Sequence, residues 1–163
     1  MYSQNKKTMF GKVKKWLGIE GVKVELILPE EVRRSSGLVK GKLRFYSMHA
    51  QTVTQIDLKM VERYSRGKEE ERLVDEYKLG EISLKRNIEV PAGQAVEIGF
   101  ELPFEVNSSQ MDELGSSNPL MGGLVKISKW FSKVNSEFRI EVEANTLGVA
   151  LHPFDKKNIK VIR

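Results

Sequence analysis

The sequence predicts an all-β domain, an antiparallel β-sandwich of immunoglobulin-like type with one or two short amphipathic helices. Runs in which apolar and polar residues alternate recur along the chain at a spacing of roughly 8 to 12 residues. Glycine, proline, asparagine and serine separate these runs, and no rhythm of strands and crossover helices indicates a parallel sheet. With 163 residues, the chain fits one domain that can bury a two-layer core.

The first 20 residues form a basic segment. The lysines that precede the first acidic residue, Glu20, equal the whole net charge of +5; they are Lys6, Lys7, Lys12, Lys14 and Lys15. Apolar residues fall at helical spacing from Met9 to Leu17, and Gly18 ends this pattern, which predicts a short basic amphipathic helix. We therefore divide the chain into a basic segment, residues 1–20, and a sandwich domain, residues 21–163.

Six strands are expected between Val22 and Pro103. Their ranges, taken from the period-two alternation, are 22–28, 39–45, 53–64, 73–79, 82–90 and 96–102. The sequence Pro91-Ala92-Gly93-Gln94 favours a tight turn, and the charged run Glu69-Glu70-Glu71 favours a solvated loop.

A helical insertion is predicted at about residues 107–135, where the strand pattern stops. Its first part is rich in Asn, Ser, Gly and Pro, and from about Gly123 to Val134 the apolar residues fall at helical spacing. Lys126, Lys129 and Lys133 lie in one row, and Trp130 lies beside the apolar stripe that includes Phe131. The pattern predicts a second basic amphipathic helix.

The last third of the chain returns to strands. Alternation from Phe138 to Ala144 predicts one strand, and the short run from Ile159 to Val161 predicts another. Between them, Pro153-Phe154-Asp155 favours a corner.

No catalytic, cofactor or metal site is predicted. The chain has no cysteine, which excludes disulfides and thiolate chemistry. The two histidines, His49 and His152, stand in turn-like sequence without a serine nucleophile or paired carboxylates. The glycines lack phosphate-binding spacing, and the acidic run at residues 69–76 lacks the alternating oxygen ligands of a calcium loop. We therefore expect a protein that is not an enzyme and acts through its surface.

Hydropathy and charge also predict the location and the class of partner. No apolar run reaches the length of about 18 residues that a membrane span needs, and the N-terminus lacks the apolar core of a signal peptide. Since the absence of cysteine fits a reducing compartment, a cytoplasmic location is expected. The basic excess lies at one end of the chain instead of over a folded face, so nucleic-acid binding is not expected.

Four pieces of the sequence resemble, in order, the arrestin-like sporulation-control family. They are Val39-Lys40-Gly41-Lys42-Leu43, the strand from Ile56 to Tyr64, Val90-Pro91-Ala92-Gly93-Gln94 with Phe100-Glu101-Leu102-Pro103, and the stretch from Leu147 to Val161. The last piece is similar to the family's A-x-x-P-x-D-x-x-x-I corner. The resemblance covers about residues 20–162 and implies an arrestin N-domain fold in a non-enzymatic cytoplasmic regulator or adaptor. Because members typically carry a second arrestin-like domain after this corner, the chain is expected to be a one-domain relative or a truncated form.

Two functions remain open from the sequence. The first is a regulatory or scaffold module that binds a protein partner, either by strand addition at a sandwich edge or through the 124–134 helix. The second is a peripheral membrane-associated adaptor whose basic, tryptophan-containing helices contact an anionic membrane surface. The candidate contact residues are Lys12, Lys15, Trp16, Lys126, Lys129, Trp130, Phe131 and Lys133. Alternatively, both helices pack their apolar faces on the sandwich and leave their lysines solvated.

Overall fold

The chain folds into two packed β-sheets. The computed structural model describes residues 21–106 and 135–163. The strands are β1 (Lys23–Ile27), β2 (Glu31–Arg33), β3 (Leu38–Tyr46), β4 (Gln51–Arg66), β5 (Leu73–Val90), β6 (Val96–Pro103), β7 (Asn135–Thr146) and β8 (Phe154–Ile162). Strands β1-β3-β6 form a small sheet, and β2-β8-β7-β4-β5 form a large sheet. All strand pairs are antiparallel except β2 with β8, so the predicted all-β sandwich is confirmed.

The period-two alternation of the sequence produces the two apolar faces that form the core. Along β1 the inward side chains are buried and their neighbours are partly exposed. Leu26 and Leu43 of the small sheet and Ile56 and Ile140 of the large sheet have no exposed surface, and all four belong to one cluster. Burial of these facing layers is the main source of stability in a sandwich of this type.

Five predicted strands are present at the expected places. The ranges 22–28, 39–45, 53–64, 96–102 and 138–144 correspond to β1, β3, β4, β6 and β7. The predicted turn is also present, since Gly93 has a φ of 70° and the Gln94 N–H donates to the Pro91 carbonyl at 3.3 Å. Glu69–Glu71 forms a single 3₁₀ turn between β4 and β5, in place of the expected loop.

The prediction of two strands at 73–79 and 82–90 is wrong, because these residues form the single strand β5. Met60 of β4 pairs with Gly80 and Val61 pairs with Lys78, which leaves Leu79 as an extra residue in a bulge. A bulge shifts the phase of the apolar alternation, and in the sequence this shift looks like a break. Glycine at position 80 allows β5 to approach the end of β6 closely, because a Cβ there would overlap the Pro103 carbonyl oxygen.

The C-terminal corner is shorter than predicted, and one strand was missed. Phe154 and Asp155 are the first residues of β8 and not part of the corner. β2 has only three residues, two of them charged, which is too short for alternation to be visible. It forms through parallel pairing with the end of β8, a contact between distant parts of the chain.

The side chains of Asp155 and Lys157 in β8 bond to the outer edge of β1. The Leu26 N–H donates to Asp155 Oδ2 at 2.8 Å, and Lys157 Nζ donates to the Leu26 carbonyl at 3.4 Å. Asp155 Oδ1 also accepts from the Lys156 N–H at 2.9 Å. Charged side chains that occupy the backbone groups of an edge strand prevent that strand from pairing with another chain. Asp155 is the aspartate of the corner motif that resembles the sporulation-control family. It therefore links β8 of the large sheet to β1 of the small sheet.

The two predicted helices, at residues 9–17 and 123–134, lie outside the described residues. The division into a basic segment and a domain with a helical insertion therefore stays a prediction. In the described part of the chain, no helix is long and apolar enough to cross a membrane.

Candidate partner-binding surfaces

The candidate contact residues from the sequence all lie outside the described ranges. They are Lys12, Lys15, Trp16, Lys126, Lys129, Trp130, Phe131 and Lys133. Their part in protein or membrane binding stays a prediction, and the surfaces below belong to residues 21–106 and 135–163.

The two histidines occupy exposed loops. His49 follows β3, and His152 precedes β8, where its Nδ1 lies 2.8 Å from Glu143 Oε1. Within the described ranges, no group of three or more His, Cys, Asp and Glu side chains is arranged to hold a metal ion.

The edges of the two sheets differ in how open they are. β1 is closed by β8, and β2 is only three residues long. β5 carries two irregularities in its register with β4, and its Leu79 carbonyl already accepts from the Glu105 N–H at 3.0 Å. In contrast, β6 pairs with β3 over eight consecutive positions without a register shift. Among the described strands, β6 therefore has the most regular edge.

The pairing of β1 with β3, and of β3 with β6, determines which backbone groups of β6 point to its outer edge. Leu26 directs its N–H and C=O away from β3, since both are bonded to β8 side chains. In an antiparallel pair, the opposite residue, Leu43, then directs its own groups away from β1 and toward β6. Leu43 faces Ile98, so these two residues exchange hydrogen bonds.

It follows that alternate residues of β6 direct their backbone groups to the free edge. These residues are Glu97, Gly99, Glu101 and Pro103. The carbonyl oxygen of Pro103 lies against Gly80 of β5, which agrees with an outward direction of its backbone groups. No hydrogen bond from the described residues reaches the three outward N–H groups. Within the described part of the chain, these three outward N–H groups are unpaired and recur at every second residue of β6.

The side chains beside this edge are held away from it. Arg44 donates to Glu97 at 2.7 Å and to Glu25 at 3.0 Å, and Lys40 lies 2.9 Å from Glu101. These pairs lie across the outer face of the small sheet, because the partners are cross-strand neighbours. These ion pairs therefore do not cover the backbone edge of β6.

The outer face of the large sheet carries ordered rows of charged side chains. One row crosses the sheet as Lys156, Glu141, Lys59 and Glu81, with alternating signs. Lys59 Nζ lies 2.9 Å from Glu141 Oε2, and Arg139 Nε donates to Glu141 Oε1 at 2.6 Å. Burial alone would raise the pKa of Glu141, but the hydrogen bonds from Lys59 and Arg139 outweigh it and lower that pKa. Opposite charges on neighbouring strands stabilise this row.

Arg139 also links β7 to β5. Its two terminal nitrogens donate to the two carboxylate oxygens of Glu76 at 2.8 and 2.9 Å. These bonds lower the pKa of Glu76 and, together with the bond to Glu141, raise the pKa of Arg139. A bidentate guanidinium–carboxylate pair fixes the orientation of both side chains.

The adjacent row has a different composition. It crosses the sheet as Phe154, Glu143, Asp57 and Ser83, so two carboxylates are direct cross-strand neighbours. The two rows border an open depression of about 400 Å³. We call it the acidic groove and define it by Asp57, Lys59, Glu81, Glu141, Glu143 and Phe154.

The sequence did not predict this groove. Each of its side chains occupies an ordinary outward position of an alternating strand, and alternation does not reveal which outward residues are neighbours. The one sequence signal at this place is Phe154, a large apolar residue directly after Pro153, and only the structure shows that it is 51% exposed. Single exposed apolar residues are common, so this signal is weak without the register.

Comparisons with known proteins agree with the fold. A family profile described as Spo0M, SpoOM protein, matches residues 10–118. The structure is similar to that of Spo0M, a sporulation control protein from Bacillus subtilis, with a TM-score of 0.59 and 19% sequence identity. This similarity covers 89% of the chain and 51% of the Bacillus protein, so the chain spans about half of that protein's length. No match was found among curated protein sequences.

Proposed function

The chain belongs to the SpoOM protein family, as the resemblance of its strand motifs predicted, and we propose that it is a non-enzymatic regulatory module that binds a protein partner. The Bacillus protein of similar fold is a sporulation control protein, and the proposal extends that role to this chain. The binding takes place in the cytoplasm, by addition of a partner strand to the free edge of β6.

The regular edge of β6 carries this proposal. Unpaired N–H and C=O groups along an edge strand are a template for another extended segment. Natural sheets usually block such edges, as this chain does at β1 with Asp155 and Lys157. A long edge with an unshifted register, which no residue of 21–106 or 135–163 blocks, fits a role in recognition.

A single proline tests the edge without disturbing the sheet. Proline is tolerated where the N–H faces away from the ladder, and Glu101 is such a position. Glu101→Pro removes an outward donor and keeps the pairing with β3, because the residue before a proline prefers the extended conformation that Phe100 already has. Glu101→Ala is the matched control, since it removes the ion pair with Lys40 and keeps the donor.

The experiment compares the proteins that the wild type and the two variants capture from a native lysate, quantified by mass spectrometry. Partners retained by Glu101→Ala and reduced at least several-fold by Glu101→Pro are expected. Equal capture by both variants, with unfolding midpoints close to that of the wild type, would exclude β6 as the binding edge.

A further inference from the structure

We propose that the edge of β6 selects a partner strand by the order of its side chains. The favoured order is Lys or Arg, an apolar residue, an aromatic residue, an apolar residue, and again Lys or Arg. This inference rests on the proposed function, because it describes the segment that pairs with β6. The occupant is a strand of another protein, and three features of the edge determine its chemistry.

The part of β6 that a partner strand can pair with is residues 97–101. Beyond this range β6 approaches β5, since the Pro103 carbonyl oxygen lies where a Cβ of Gly80 would stand. The Glu105 N–H then donates to a backbone carbonyl of β5 at 3.0 Å, which brings the chain after β6 onto that strand. The side chains on the two faces of residues 97–101 therefore decide which strand fits.

The outer face of this edge carries a carboxylate at each end. In a strand that adds to β6, the residues directly opposite Glu97 and Glu101 lie beside them on the outer face of the small sheet. One cross-strand row runs through Glu25, Arg44 and Glu97. A second row runs through Lys40 and Glu101, so each row reaches the edge with a negative charge. Since 39% of the Glu97 side chain and 61% of the Glu101 side chain remain exposed, a Lys or Arg on the partner strand continues each row with the opposite sign.

Gly99 leaves a space between these two carboxylates. It lies on the same outer face, and the atom nearest to a Cβ built there is 3.9 Å away. An aromatic side chain on a neighbouring strand covers an edge glycine of this kind. The next residue of the row is Lys42, whose ammonium can lie against the face of such a ring. The position opposite Gly99 therefore favours an aromatic residue.

Apolar side chains line the inner face of the same edge. β5 and β6 are the edge strands of the two sheets on one side of the sandwich. Four inward side chains of these strands pack against the core: Ile82, Leu84, Val96 and Ile98. The described residues bury these four side chains only in part. The seam between the two sheets is therefore apolar and partly exposed on this side.

The seam on the β6 side differs from the seam on the β1 side. At β1, the charged side chains of Asp155 and Lys157 bond to the backbone of the edge strand. At β6, the partly exposed apolar side chains gain burial when another strand covers them, which is favourable in proportion to the apolar area removed from water. A strand that pairs with β6 directs alternate side chains to this seam. The residues between its basic and aromatic positions should therefore be apolar.

Charge makes a second copy of β6 a poor partner. In an antiparallel pair centred on Gly99, Glu97 of one copy would lie opposite Glu101 of the other. Like charges directly opposite each other destabilise a sheet. The edge that favours a basic segment therefore opposes pairing with itself, which is a common use of charged residues on edge strands.

Two synthetic peptides test the inference on the whole chain. The first is Gly-Lys-Val-Tyr-Val-Lys-Gly with blocked ends, and the second carries Glu in place of both Lys. Each peptide is titrated into the isotope-labelled protein, and the amide NMR shifts of Glu97, Gly99 and Glu101 report binding at the edge. At low salt the lysine peptide should bind about tenfold more tightly, because both cross-strand charge pairs change sign in the glutamate peptide. At 1 M salt, where the Debye length is about 3 Å, this ratio should decrease.

Matched variants assign the preference to β6. Glu97→Gln with Glu101→Gln should remove most of the preference for the lysine peptide. Glu81→Gln with Glu143→Gln makes the same change of charge on the large sheet and should leave the preference unchanged. Replacement of Tyr by Ala in the lysine peptide should weaken binding severalfold, because Gly99 is then uncovered. Equal effects of the two double variants, or equal binding of the Tyr and Ala peptides, would contradict the proposed order of side chains.

The outcomes separate this inference from the proposed function. Equal binding of the lysine and glutamate peptides, or no binding of either, would overturn the inference, whereas partners lost in Glu101→Pro would still support β6 as the binding edge. Equal capture of partners by Glu101→Pro and Glu101→Ala would overturn the proposed function even if the lysine peptide binds. Slow hydrogen exchange of the Glu97, Gly99 and Glu101 amides in the free chain would overturn both, because another segment or a second copy would already occupy the edge.

Discussion

The contact between Asp155 and β1 gives the sharpest prediction about stability. Asp155→Ala removes the acceptor of the Leu26 N–H, and Leu26 has no exposed surface. Water cannot easily replace the carboxylate there, and the substitution also leaves Lys157 as the only β8 side chain bonded to Leu26.

The expected loss follows from the cost of an unsatisfied buried donor. Leaving such a group without a partner costs about 1–3 kcal/mol. We therefore expect the free energy of unfolding to fall by about 2 kcal/mol, which for a chain of this size lowers Tm by about 4–8 °C. Asp155→Asn keeps an acceptor oxygen and should cost less.

Urea unfolding of the wild type and the variants measures this loss through the transition midpoint at constant m-value. Hydrogen exchange of the Leu26 amide reports on the contact itself, and its protection should decrease in Asp155→Ala. Asp57→Ala is a matched control, because it removes an outward aspartate from beside Glu143 and should change stability by less than about 0.5 kcal/mol. A loss in Asp155→Ala no larger than in Asp57→Ala, with the Leu26 amide still protected, would refute the reasoning.

Two further predictions concern the large sheet. Gly80→Ala should destabilise the protein by about 1–3 kcal/mol, because the new Cβ would overlap the Pro103 carbonyl oxygen. Gly99→Ala is the control and should have little effect in the same thermal scans, since the atom nearest to its Cβ is 3.9 Å away. The pKa of Glu141 is lowered in the folded protein, so its contribution is present above the unfolded-state pKa and is lost as the pH falls through the folded-state value. Below a pH of about 4.5, Tm should therefore fall more steeply for the wild type than for Arg139→Gln, and parallel curves would contradict this role of Arg139.

The sequence predicted most of the fold and little of the candidate surfaces. Alternation located β1, β3, β4, β6 and β7, because each strand with one buried face shows its period locally. It divided β5 in two at Gly80 because a bulge changes the phase of alternation, and it missed β2 because three residues show no period. The basic composition of the N-terminal segment was visible in the sequence, whereas the acidic groove on the large sheet was not.

The sequence by itself determined that the chain is an all-β sandwich of the SpoOM family with its basic excess at one end. Only the tertiary structure decided which edge is left unpaired by the described residues and which outward side chains are neighbours. Asp155 closes β1 across 129 positions of sequence, and Asp57 and Glu143 become neighbours only through the register of β4 with β7. Alternation depends on adjacent residues, but register depends on packing between distant segments, so no local pattern could reveal these contacts.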